Sequence, residues 1–294
     1  MAPSLEDRLA DHHYGMEGLG AAILDALQAG GRDLDHLQVD DLNPLDQFHP
    51  GARAATYGLI QFARLADAGP CDILDVGGGI GGPARVLATA LGARVTVLDV
   101  TEEFCRVGEM LTERMGLAEQ VRFQHGSALA IPFPDSRFDI VWMQSAAMNI
   151  ADKVGLFREL QRVLRPGGRL ALQDVARGPV TPVGYPVPWA LGPELSFLST
   201  PEETRTLAEQ SGLRVVAASQ APEELIFGLR PRSPRPKGGK ASRPRLPELG
   251  ALRFGAEYWE QAVGNMLGNL SEGRTIHLWL VADRCEVEEE AHAS

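Results

Sequence analysis

One aspartate and five glycines share an eight-residue stretch, Asp75-Val76-Gly77-Gly78-Gly79-Ile80-Gly81-Gly82. Residues without side chains let the backbone approach a ligand closely, provided the stretch joins a strand to a helix. The flanks meet that condition. CDILDV (71–76) reads as a buried parallel strand, and Pro83 followed by Val86, Leu87, Ala90 and Leu91 reads as a helix with one apolar stripe. Gly77, Gly79 and Gly82 fit the spacing G-x-G-x-x-G, whereas Asp75 with Gly77, Gly79 and Gly81 fits D-x-G-x-G. Asp99 closes the next apolar run, RVTVLDV (94–100), where a carboxylate can accept hydrogen bonds from two ribose hydroxyls. Together they predict nucleoside binding and leave open which nucleotide cofactor is held.

These residues must be positioned by alternating strands and helices. VRFQHGS (121–127) and FDIVWM (138–143) supply strands three and four. Leu156, Leu160, Val163 and Leu164 face a helix over 151–165 that Pro166 ends, and RLALQDV (169–175) is strand five. Thr200-Pro201-Glu202-Glu203 spells a capping box that starts another helix. LRVVAAS and TIHLWLVADR give two more strands, separated by a helix bearing Phe254, Tyr258, Val263, Met266 and Leu270. The fold class is therefore α/β: a Rossmann-like, seven-stranded, mostly parallel sheet with helices on both faces. Residues 1–68 differ, with amphipathic stripes at Leu19, Ile23, Leu24 and Leu27 and at Leu59, Phe62 and Leu65, and are expected to form an N-terminal helical lid over the carboxyl edge of the sheet. Residues 69–294 are expected to be the core, with a flexible basic loop at about 229–250.

From 72 to 175 the chain resembles class I S-adenosylmethionine-dependent methyltransferases, especially the ubiquinone- and menaquinone-biosynthesis group. The matching pieces are DILDVGGGIGG, VTVLDV, GSALAIPFPDSRFDIV and REL-QRVLRPGGRLAL. LDQFHPG (45–51) and AMNI (147–150) further resemble a bacterial subgroup related to sarcosine and dimethylglycine methyltransferases, in which histidine stands at the place of Ser145. The resemblance implies S-adenosyl-L-methionine as cofactor and methyl transfer to an N, O or C nucleophile of a small-molecule acceptor. It implies that Gly77, Gly79 and Gly81 make room for the cofactor, that Asp75 helps hold its methionine end and that Asp99 binds its ribose. It further implies that Val100 lines the adenine, that Ser127 and Ala128 lie at the adenine edge, and that Gln144 faces the methionine end. The competing classes are a nicotinamide-dependent oxidoreductase and a non-catalytic S-adenosylmethionine-binding protein.

Methyl transfer needs alignment and exclusion of water more than catalytic side chains. A base helps only where the nucleophile is protonated at neutral pH, and His12, His13, Tyr14 and His49 are the candidates, with His49 first because a proline–glycine turn follows it. Tyr14, Phe48, Tyr185 and Trp189 are expected to contact the acceptor, the last two from the proline-rich stretch 176–200, which serves equally well as a small satellite core. No metal site is expected, because no second carboxylate or histidine accompanies Asp174 at ligand spacing.

A net charge of −11 argues against sequence-independent nucleic-acid binding, which needs lysine and arginine to neutralise phosphates. Against that trend, residues 230–245 hold seven cations and no acid, but their proline and glycine content reads as a solvated insertion. No apolar run reaches the roughly 18 residues of a membrane span, and the acidic, polar start MAPSLEDRLADHHYG is unlike a secretory signal. Cys71, Cys105 and Cys285 form no disulfide or metal spacing, so a cytoplasmic protein with reduced thiols is expected, its partner a small molecule and its homo-oligomeric state left open.

Overall fold

The computed structural model describes residues 16–43, 45–66, 69–227 and 246–285. Seven strands form one sheet: β1 (Asp72–Val76), β2 (Arg94–Asp99), β3 (Val121–His125), β4 (Phe138–Gln144), β5 (Leu164–Arg177), β6 (Leu213–Gln220) and β7 (Thr275–Arg284). Their order is β3-β2-β1-β4-β5-β7-β6. All neighbours run parallel except β7, which is antiparallel to both β5 and β6. This is the expected Rossmann-like, mostly parallel sheet. The order reverses at β1, whose two neighbours β2 and β4 connect to opposite sides, and ligand crevices open at the carboxyl ends of strands at such a switch point.

Successive residues of each central strand point to opposite faces, so one apolar run feeds two cores. Ile73, Val95, Val97, Ile140 and Trp142 pack on one side of the sheet beneath helices α2 (Ala52–Phe62) and α3 (Gly82–Leu91). Leu74, Val76, Leu98, Val141 and Met143 pack on the other, beneath α5 (Lys153–Val163) and α6 (Pro201–Gln210). Helix α6 begins with the capping box read from the sequence: Glu203 N donates to Thr200 Oγ1 and Thr200 N donates to the Glu203 carboxylate.

Helix α5 is shorter than expected, ending at Val163 rather than running to Arg165. Leu164 is already extended, at φ −68° and ψ 142°, where it pairs with Phe138, and Arg165 ahead of Pro166 is disfavoured in helical geometry, so the helix cannot resume. Strand β5 thus starts five residues before the expected Arg169 and absorbs Pro166-Gly167-Gly168 as an irregularity.

Among the described residues before 69, the two helices enter different cores. Helix α1 (Leu19–Ala29) and helix α4 (Glu102–Arg114) share a third core, where Leu19, Ile23 and Leu27 meet Phe104, Val107 and Leu111. Helix α2 belongs to the main sheet core through Leu59 and Ile60, followed by Ala63 just past its end. The segment joining α1 to α2 lines the carboxyl edge of the sheet with Asp46, Phe48 and His49. The basic tract at 230–245 lies outside the described residues; a short helix α7 (Glu223–Phe227) precedes it, and α8 (Leu249–Phe254) and α9 (Ala256–Ser271) follow it. Leu246 is buried against the α1 core, and Leu249 and Gly250 already belong to α8, so the expected loop stops short of residue 250. Among the described residues no helix is long and apolar enough to cross a membrane.

Candidate functional site

The carboxyl ends of β1, β2 and β4 open into a cavity of about 420 Å³. Asp75, Gly77, Gly78 and Gly79 line it from the first loop, Asp99 and Val100 from the second, Ala128 from the loop after β3, and Gln144, Ser145 and Ala146 from the end of β4. Phe48 and His49 line it from the segment before α2, and Leu249 from α8.

The three glycines of the D-x-G-x-G spacing all adopt positive φ, but they do different work. At Gly79 (φ 57°) a Cβ would meet nothing nearer than Phe104 Cδ2 at 3.9 Å, so its bare side faces open cavity. At Gly77 a Cβ would lie 2.4 Å from Ala146 Cβ, and at Gly81 it would lie 2.6 Å from Phe123 Cζ. Gly77 therefore lets β4's loop close in, and Gly81, which does not line the cavity, lets α3 settle against β3. The room expected of Gly81 for a cofactor is taken by a phenyl ring.

Asp75 is 1% exposed and neither carboxylate oxygen has a hydrogen-bond partner among the described groups. Burial, aided by the neighbouring charge of Asp99, pushes it up to about 8. Asp99 is also buried, and burial raises its carboxyl above the usual range, opposed by two backbone donors. Thr101 N donates to Oδ1 at 2.9 Å and Gly79 N donates to Oδ2 at 2.8 Å. The carboxylate of β2 thus grips the glycine loop of β1. Two lone pairs remain on it for a ligand.

Gln144 lines the cavity, but its amide is bound by the protein. Thr56 Oγ1 and Trp142 Nε1 donate to Oε1 at 3.1 and 2.9 Å, and Nε2 donates to Gln173 Oε1 at 2.8 Å. Gln173 Nε2 in turn donates to Pro50 O at 2.9 Å. This chain of amides ties the 45–56 segment to the ends of β4 and β5. A second tie is the fully buried ion pair Arg85–Asp46 at 3.2 Å, where Arg85 Nη1 also donates to Ile80 O and Thr112 Oγ1. Asp46 fixes Gln47 by accepting from its Nε2, which turns Gln47 Oε1 toward His49 Nε2 at 3.2 Å. His49 Nδ1 faces Pro50 O at 3.4 Å, so both ring nitrogens face an oxygen and a neutral ring donates to one of them. Burial pushes His49 down to about 4, so the ring is neutral.

Of the remaining expected residues, Ser127 is outside the cavity lining and its Oγ accepts from Leu129 N, capping a turn. Tyr185 and Trp189 are absent from the lining as well. They pack with Met148, Val175, Val187 and Met266 in a satellite core, Trp189 donating to Ser196 Oγ, because Val187 and Ala190 fold this stretch into a bridge of its own. His12, His13 and Tyr14 lie outside the described residues. Thr56, Gln173 and the Asp46–Arg85 pair went unnoticed in the sequence; only the density of polar residues in 46–56, beside an apolar helix, signals them. Phe48 stacks on Trp259 of α9 at 5.4 Å, closing the cavity from the C-terminal side. Among the described residues no group of three or more His, Cys, Asp or Glu is placed to hold a metal.

Comparison with known proteins gives a consistent picture. Residues 74–172 match the family described as methyltransferase domain. The ubiquinone/menaquinone biosynthesis C-methyltransferase UbiE of Hahella chejuensis is 34% identical over 113 residues, 38% of this chain and 45% of that protein. The glycine/sarcosine/dimethylglycine N-methyltransferase of Actinopolyspora halophila is 35% identical over 102 residues, 35% of this chain and 18% of that one. The aligned stretch thus spans less than half the length of these curated relatives. The geranyl diphosphate C-methyltransferase of Streptomyces coelicolor A3(2), solved with Mg2+, geranyl diphosphate and S-adenosyl-L-homocysteine, superimposes with a TM-score of 0.64 at 18% identity, over 96% of this chain and 98% of that one. Residues 74–172 thus match a methyltransferase domain, in a chain that shares its fold with solved methyltransferases.

Proposed function

We propose that the protein transfers a methyl group from S-adenosyl-L-methionine to a small-molecule acceptor. The observation that carries this reading is a buried carboxylate without partners, Asp75, beside open space at Gly79 and facing a second carboxylate, Asp99. Such a crevice fits a ligand with a cationic amino-acid end and a ribose diol. It fits a dinucleotide poorly. A pyrophosphate would have to share the loop with Asp75 and reach the N-terminus of α3, where a Cβ on Gly82 would lie 1.8 Å from Asp46 O. The chain's own acidic segment already covers that helix end.

When bound, S-adenosylmethionine supplies an electrophilic methyl group on a sulfonium. The protein's residues do the rest by placement. Asp75 holds the amino-acid end, Asp99 accepts from the ribose and Val100 flanks the base. Phe48, Ile80 and Phe104 keep water from the reacting centre, where alignment and a dry site lower the barrier. His49 has the wrong acidity for a general base at neutral pH, which works best near the operating pH, and both of its ring nitrogens face oxygens of the protein. It orients the acceptor instead of deprotonating it.

Calorimetric titration tests the reading. S-Adenosylhomocysteine is expected to bind the wild type with measurable heat and NADH is not. Heat with NADH alone refutes methyl transfer, and tight S-adenosylhomocysteine binding with no labelled methyl transferred across a broad panel of alcohols, phenols, amines and activated carbon acids refutes the enzymatic part.

A further inference from the structure

Beyond the nucleoside loop, the cavity is walled by Phe48, Ile80, Phe104, Leu129, Ile150 and Leu249. Its acidic lining residues are Asp46, which Arg85 neutralises, Asp75, which burial pushes up to about 8, and Asp99 and Asp152. Among the described residues no lysine or arginine lines it. The two nearest cations in the sequence of contacts are already committed. Arg85 is buried behind Asp46 and bonded to it, and Lys153 Nζ donates to the carbonyls of Ala147 and Ile150.

Ser145 is the second singular feature. It follows β4 directly, at φ 55°, a left-handed conformation that a residue with a side chain adopts at a cost. Its Oγ is buried in the cavity wall with no hydrogen-bond partner, while its N–H donates to Gln173 O at 2.8 Å and so pins the backbone. Of the described lining residues, only Asp75 and Ser145 carry a buried side-chain oxygen without a partner. Backbone strain of this kind persists where the surroundings over-determine it, and it clusters at ligand sites. Asp75 belongs to the cofactor end. The Ser145 hydroxyl, able both to donate and to accept, is left for the acceptor.

We infer that the acceptor is an apolar molecule without an anionic head, and that its alcohol, phenol or amine is held by Ser145 Oγ. The inference rests on the methyl-transfer reading and adds the substrate class. A phosphate or diphosphate head would enter an apolar cavity where charge is poorly screened, where Asp99 and Asp152 stand in the wall and where no described lysine or arginine lines it to answer the charge. A neutral alcohol, phenol or unprotonated amine gains the unmet hydroxyl.

The test uses the full chain saturated with S-adenosylhomocysteine and two probe pairs: geraniol against geranyl diphosphate, the latter with and without Mg2+, and 1-naphthol against 1-naphthyl phosphate. Calorimetry is expected to show the neutral member of a pair binding at least about tenfold tighter than its phosphorylated partner, the worth of roughly one net hydrogen bond or buried charge contact. Ser145→Ala keeps the strained backbone and Ser145→Gly relieves it, so the glycine variant guards against simple misfolding. Both are expected to keep wild-type affinity for S-adenosylhomocysteine and to lose about tenfold in affinity for the neutral probe. Failure of the wild type to bind S-adenosylhomocysteine sinks the underlying reading. If that binding holds, a phosphorylated probe that binds as well as its alcohol, no binding of either pair, or a glycine variant with unchanged probe affinity overturns the inference alone.

Discussion

Removing the carboxylate of Asp99 probes both halves of the site at once. Its two oxygens accept from Gly79 N and Thr101 N at 2.8 and 2.9 Å, so Asp99→Ala strands two backbone donors, one of them in the loop that must present open space. Hydrogen bonds to a charged group contribute about 1.5–3 kcal/mol each, which sets an upper figure of about 3–6 kcal/mol for the pair. Asp99 lines an accessible cavity, so water replaces part of what is lost and about 2–3 kcal/mol is the expected cost to folding. Asp99→Asn keeps one acceptor oxygen and is expected to lose about half as much. Guanidinium denaturation measures both. The affinity for S-adenosylhomocysteine is expected to fall about 10- to 150-fold in the alanine variant, corresponding to the same 1.5–3 kcal/mol. A second readout is specific to the geometry. Burial and the charge of Asp99 together push Asp75 up to about 8, and a cationic ligand end binds the ionised form, so wild-type affinity rises as pH passes upward through that value. With the Asp99 charge gone, Asp75 ionises more readily and the midpoint moves to lower pH in both variants. An unchanged midpoint together with unchanged affinity would mean that the two carboxylates do not share one ligand.

His277→Leu tests a buried histidine whose two ring nitrogens lack partners and which burial holds down at about 4. Its folded value lies below the unfolded 6.5, so its contribution is fully present above about pH 6.5 and is lost as pH falls toward 4; at pH 5 the wild type should have lost about 2 kcal/mol that the leucine variant keeps, and parallel denaturation profiles at pH 7.5 and 5 would contradict this. Gly81→Ala and Gly79→Ala should separate structure from binding. The first forces a Cβ within 2.6 Å of the Phe123 ring and lowers the melting temperature while the folded protein still binds S-adenosylhomocysteine; the second, with open space around it, costs only the roughly 1–2 kcal/mol of a left-handed residue and loses binding. Arg85→Met leaves Asp46 buried without its cation and should cost about 3–5 kcal/mol, whereas the double variant Arg85→Met with Asp46→Leu should recover much of it, which double-mutant denaturation decides.

Strand and helix order was legible because each central strand is a short, nearly continuous apolar run, and each helix carries its own cap or stripe. Thr200 and Glu203 announce α6 by local chemistry alone, and the structure makes both of the hydrogen bonds that the capping box requires. The errors fell where tertiary pairing overrides local signals. Leu164 belongs to an apolar helix face by spacing, yet Phe138 on β4 draws it into the sheet. Leu59 reads as part of a lid because it precedes the first strand, yet its helix packs on that strand's face, since order along the chain does not fix the layer a helix enters.

The same division runs through the site. Asp75, Gly77, Gly79 and Asp99 were readable because strand, loop and helix are contiguous and the carboxylate of the adjacent strand follows at a fixed distance, so one short stretch of chain encodes the nucleoside end. The acceptor end has no such stretch. Thr56 reaches Gln144 across 88 positions, Gln173 reaches Pro50 across 123, and the strain at Ser145 exists only because Gln173 O holds its N–H. A serine after a strand is unremarkable in a sequence; its unmet hydroxyl emerges when β4, β5 and the 45–56 segment converge. Substitution of Ser145 that preserves every glycine and aspartate of the loop is therefore expected to change the affinity for the acceptor while cofactor binding stays as it was.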